Sequence, residues 1–180
     1  SASFTDEGTD IVASGANLGV IDHCVFDSGT LPGAQPQGVV VMHEAWGGSP
    51  NGDGSWADDS YLGTDRAWFV EDSTFSTTAP IATAAAAMIG GRLVFRNNQV
   101  SGEFSVWGDG TFYGRRRPAR VLEVYRNSFA GTSGGLTATY THSGTGVFFE
   151  NTATGYARAV GLDYWRSTSA TAPWGQCNGS

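Results

Sequence analysis

Apolar and polar residues alternate along this chain in short stretches, and one such stretch keeps returning. In LEVYRNSF (122–129), Leu122 and Val124 fall on one face, while Glu123 and Tyr125 fall on the other. That period of two is the signature of a β-strand with one side buried. Related phrases are VIDHCVFDSG (20–29), FVEDSTFSTT (69–78), LVFRNNQVSG (93–102) and VFFENTATG (147–155). Aligned, they place Ile21, Val70, Phe95, Val124 and Phe148 in one apolar column. Phe26, Phe75, Val100, Phe129 and Ala153 form a second. Between the two runs a ladder column of Cys24, Ser73, Asn98, Asn127 and Asn151, mostly polar. An asparagine there is suited to hydrogen-bonding the backbone of a sharp bend and its own copies in neighbouring repeats.

The phrases follow one another at 49, 25, 29 and 24 residues. A repeat of this length with equivalent strands stacked in parallel is a coil of β-structure, rising roughly 4.8 Å per rung. Further strands are predicted at 39–46, 81–88, 103–108, 136–142 and 160–165. The register sets Glu71 beside Arg96 and Arg126 beside Glu150 on successive rungs. The spacing lacks the leucine and asparagine pattern of leucine-rich repeats, and the period is too short for propeller blades. A β-sandwich also has short strands and glycine turns, but it leaves the column agreement unexplained. The expected fold is therefore all-β, a right-handed parallel β-helix (solenoid) with about 24–29 residues per rung, forming a single domain over 1–180. The first spacing reads as one rung carrying a loop insertion near 47–66, a polar, glycine-rich stretch without alternation.

Composition agrees with many turns and no long helices: 26 glycines, 15% charged residues and 12% aromatics. A net charge of −7 gives no electrostatic footprint for nucleic acid. All ten basic residues are arginine, which removes lysine-based Schiff-base chemistry. IATAAAAMIGG (81–91) is the longest small-apolar patch and is too short to span a bilayer, so no membrane insertion is expected.

With these columns in place, GVIDHCVFDS (19–28), AWFVEDSTFS (67–76), GRLVFRNNQVSG (91–102), RVLEVYRNSFAG (120–131) and GTGVFFENTATG (144–155) resemble a group of uncharacterised bacterial, mostly environmental, right-handed parallel β-helix repeat proteins. The resemblance extends to DYWRS (163–167) and PWGQCNG (173–179). It implies the β-helix fold and an extracellular or cell-surface location. Rungs in that group continue on both sides, so the resemblance also implies either a portion of a longer chain or a unit whose ends are covered by neighbours. Open rungs expose strand edges that invite pairing.

Candidate chemistry is sparse. In the insertion, Asn51, Asp53, Ser55, Asp58 and Asp59 place oxygens at alternating positions where calcium could be wrapped, but Leu62 stands where an EF-hand needs glutamate. The same residues also make a solvated acidic turn. Asp58 and Asp59 bear a faint likeness to the paired acids of β-helix glycosidases. Arg115, Arg116 and Arg117, with Arg120, form the one basic cluster and suit a uronate or sulfate group, or simply a solvated loop. Trp56, Trp107, Tyr113 and Trp165 lie in or near predicted loops, where a flat ring can stack on a sugar. His23, His43 and His142 lack metal-ligand spacing. Cys24 and Cys177 stand several rungs apart, so a bridge between them requires the tail to fold back.

The leading expectation is a non-catalytic extracellular β-helix module, structural or adhesive, self-associating through its rung ends into a filament. The alternative is a polysaccharide lyase or glycoside hydrolase acting on acidic glycans through Arg115–Arg117 and the insertion's acids, or a carbohydrate-binding module.

Overall fold

Among the described residues seventeen strands follow one another in a strict rotation among three sheets, and every pairing between them is parallel. The computed structural model describes residues 3–5, 8–15, 17–29, 36–43, 61–108, 119–142 and 144–162. Strands β1 (Ser3–Thr5) and β2 (Thr9–Ala13) precede five full turns. The turns are β3 (Gly19–Asp22), β4 (Val25–Ser28) and β5 (Gln37–Met42); then β6 (Trp68–Glu71), β7 (Thr74–Thr77) and β8 (Ala82–Met88). Next come β9 (Arg92–Arg96), β10 (Gln99–Ser101) and β11 (Phe104–Gly108), followed by β12 (Val121–Tyr125), β13 (Ser128–Ala130) and β14 (Thr137–Thr141). The last described turn is β15 (Thr145–Phe149), β16 (Thr152–Thr154) and β17 (Arg158–Leu162). The first sheet stacks β3, β6, β9, β12 and β15; the second begins with β1 and β4, the third with β2 and β5. The molecule is a right-handed parallel β-helix.

The apolar columns of the sequence are the inward columns of the coil. Ile21, Val70, Phe95, Val124 and Phe148 pair in order across the first sheet. Phe26, Phe75, Val100, Phe129 and Ala153 do so across the second. Phe26 stacks on Phe75 at 4.5 Å, and Phe75 meets Phe104 edge-on at 6.0 Å. The third sheet faces these rings with small residues: Ala82, Ala84, Ala85 and Ala87 are all buried in the same core. Because Ile21 pairs directly with Val70, the 49-residue spacing is one rung, with its insertion between β5 and β6.

The corner between the first and second sheets is a two-residue bend repeated on every full turn. Its first residue is left-handed and never glycine: His23, Asp72, Asn97, Arg126 and Glu150 have φ between 49° and 58°. Such a conformation costs an L-residue about 1–2 kcal/mol. The second residue offsets that cost through side-chain bonds. Asn98 donates its amide N–H₂ to the Val70 carbonyl of the previous turn, at 2.9 Å. Its own backbone N–H and N–H₂ donate to Oδ1 of Asn127, at 2.9 and 3.2 Å. Asn127 repeats the arrangement toward Phe95 and Asn151, and Asn151 toward Val124. At the other end Ser73 Oγ accepts from the backbone N–H of Cys24, and the Cys24 thiol lies 3.3 Å from the Asp22 carbonyl. On the outer surface Arg96 pairs with Glu71 and Arg126 with Glu150, the latter at 2.7 Å.

Candidate functional site

The corner where the third sheet hands over to the first carries the insertion, and a cleft opens at its base. Its last residues, 61–66, form a tight turn: the Thr64 hydroxyl and N–H both donate to the Tyr61 carbonyl. The Gly63 N–H then donates to Glu123 Oε1 at 2.7 Å, which holds this turn against the outer face of the first sheet. Glu123 is thus outward-facing yet buried. Tyr61 presents its ring to two guanidiniums, Arg66 at 4.2 Å and Arg92 at 5.2 Å from the ring centroid. With Leu18, His43 and Trp68 among others, they line a cleft of about 180 Å³. Trp68 packs over Gly19, where an added Cβ would lie 2.5 Å from the indole ring, so the wall itself depends on glycine there. No described acidic residue lines the cleft.

A second feature is the last described turn. Strands β15, β16 and β17 each stand at the edge of their sheets. In β17 the inward column continues as Val160 and Leu162, which lie beneath Thr139 and Thr141 and are 42% and 73% exposed. Phe149, stacked at 4.6 Å on Tyr125, is exposed on the outer side of the first sheet.

A buried carboxylate fastens the turn at 131–135. Glu103 Oε1 accepts from the N–H groups of Thr132 and Ser133, each at 2.6 Å, and from the Thr132 hydroxyl at 2.8 Å. Burial opposes ionisation, but these hydrogen bonds outweigh it and hold the carboxyl below its ordinary range. Nearby, the Tyr156 hydroxyl lies within bonding distance of the Gly102 and Phe104 carbonyls. Burial, followed by the negative charge of Glu103, pushes its pKa well above the usual tyrosine value. Both groups serve the packing of one turn on the next.

Asn51, Asp53, Ser55, Trp56, Asp58, Asp59, Tyr113, Arg115, Arg116, Arg117, Trp165 and Cys177 lie outside the described residues. Trp107 is a correction. It sits within β11, is only 8% exposed, stacks on Tyr140 at 5.8 Å, and donates its indole N–H to Thr83 at 3.0 Å. It belongs to an apolar cluster with Val40, Met42 and Met88 on the outer face of the third sheet, so its ring offers no face to a sugar. His23 bonds to Asp22 at the opposite corner, whereas His43 lines the cleft. Tyr61, Arg66 and Arg92 carry no motif that singles them out in the sequence. Only their convergence on one ring marks them. Among the described residues no group of three or more His, Cys, Asp or Glu side chains is placed to hold a metal ion, and no helix is long and apolar enough to cross a membrane. Comparison of the chain with protein-family models, with curated proteins and with solved structures found no match.

Proposed function

We propose that this protein is a non-catalytic β-helix module of an extracellular or cell-surface setting, structural or adhesive in role, that stacks end to end. The last described turn carries this reading. Its inward column, Val160 and Leu162, is exposed, and β15, β16 and β17 are edge strands. In a parallel coil the natural cover for such an end is one more rung, which would pair three edges and bury the column at once. Contact between the last turn of one unit and the first turn of the next is head-to-tail, and a head-to-tail contact that does not close into a ring builds a filament.

The test is light scattering with negative-stain electron microscopy on the whole chain across a wide concentration range. Rods that lengthen with concentration are expected, and a Val160→Asp, Leu162→Arg double variant should remain a folded monomer. A wild-type chain that is monomeric throughout, or rods that persist in the double variant, would remove the basis for the reading.

A further inference from the structure

We infer, on the premise that units stack end to end, that each junction continues the register of the coil, with the Glu150 carboxylate of one copy beside the His23 imidazole of the next. The junction then tightens when that imidazole is protonated.

The sheet order fixes the polarity. At one end of the described coil the edge strands are β15, β16 and β17; at the other they are β3, β1 and β2. Setting β15 against β3, β16 against β1 and β17 against β2 continues all three sheets in parallel, whereas turning one copy over makes the new pairs antiparallel. The columns fix the register. Ile21, Val70, Phe95, Val124 and Phe148 pair in order, so the next Ile21 falls on Phe148 and the next Val20 on Val147. In the third sheet the same succession of pairs sets Ile11 against Val160 and Ala13 against Leu162. Apolar meets apolar at each of these positions, and the small Ala13 leaves room for the larger Leu162.

Charge then falls into place at the corner. The left-handed corner residue repeats as His23, Asp72, Asn97, Arg126 and Glu150. Neighbours in this column reach each other, since Arg126 Nε lies 2.7 Å from Glu150 Oε2. One more rung, roughly 4.8 Å along the axis, brings His23 of the next copy to the other side of Glu150. Both side chains are exposed, His23 at 72% and Glu150 at 58%. Among the described residues the other charged groups at this corner are Asp22, 3.1 Å from the His23 ring, Asp72 one turn on, and Arg126, already paired. Glu71 is held by Arg96, and Phe149, which faces the next Asp22 in this register, adds no charge. A neutral imidazole leaves carboxylates of both copies gathered at the junction. A protonated one lies between Glu150 and its own Asp22 and Asp72. Imidazole changes charge between about pH 5 and 8, where exposed carboxylates stay ionised.

Sedimentation of the whole chain at about pH 5.5 and about pH 8, with electron microscopy of the pellet, tests this. The concentration at which half the wild-type chain is in rods should be about fivefold lower at the acid pH, with added salt narrowing the gap. His23→Arg should assemble at the lower concentration at both pH values, and His23→Glu at the higher one or above it at both. Arginine and glutamate already occupy this left-handed position at 126 and 150, so neither variant adds backbone strain, and circular dichroism should show both folded as wild type. Wild-type rods with no pH gap, a gap that persists in His23→Arg, or assembly of His23→Glu at wild-type concentrations would each overturn the junction while leaving end-to-end stacking in place. A wild-type chain that forms no rods at either pH would remove both.

Discussion

Asn127 shows how one side chain can hold three turns of this coil together. Its Oδ1 accepts from the backbone N–H of Asn98, while its N–H₂ reaches back to the Phe95 carbonyl and forward to Asn151. All of this happens in a buried corner, where water is not a substitute partner. Asn127→Ala therefore leaves a buried donor and a buried acceptor unsatisfied, each worth about 1–3 kcal/mol. We expect a loss of about 3 kcal/mol in stability, read from the midpoint of guanidinium unfolding with an unchanged slope. Asn151→Ala should cost less. Asn151 is half-buried and lies on the last described turn, so part of what it bonds can turn to water.

At the scale of elements, close contact between turns explains both the glycines and the buried acid. Gly102 (φ 88°) leads out of β10, and a Cβ there would meet the Thr77 carbonyl oxygen of the neighbouring turn. The next residue, Glu103, grips the 131–135 turn one rung along. Its folded-state pKa is below its ordinary value, so the unfolded chain binds the proton more tightly. Its contribution is then fully present above the ordinary glutamate range and is lost as pH falls through the depressed folded value. Unfolding midpoints measured from neutral to acid pH should drop more steeply for wild type than for Glu103→Gln. Equal slopes would mean that the clasp adds nothing. Strand β8 makes a related point about propensity. ATAAAAM favours a helix by intrinsic preference, yet all seven residues are buried as a strand. Burial on both faces overrides the local preference.

For the molecule as a whole, each turn touches mainly its neighbours, so stability varies along the axis. The turns built on β9 and β12 have neighbours on both sides and buried strands, whereas β17 is exposed along most of its length. Hydrogen exchange of the monomer should give the strongest protection in β9 and β12 and the weakest in β15–β17. Raising the concentration into the range where rods form should then slow exchange in β15–β17 selectively. Uniform protection along the axis would contradict a one-dimensional stack with an open end.

The sequence by itself determined the coil. Its inward columns, the pairing of Glu71 with Arg96 and of Arg126 with Glu150, and the single-rung reading of the first spacing all follow from a repeated pattern, because a stacked strand must present the same face on every turn. Strand ends were less legible. The stretch predicted to begin at 39 begins at Gln37, and that predicted to begin at 160 begins at Arg158, since alternation does not mark where pairing starts. Trp107 could not be placed from its neighbours alone: an outward position is exposed only if nothing covers it, and the outer face of the third sheet is an apolar cluster. The cleft was decided by tertiary structure alone. Tyr61, Arg66 and Arg92 come from the end of an insertion and the start of a later turn, and their meeting depends on a Gly63–Glu123 contact across 60 residues that no local pattern encodes.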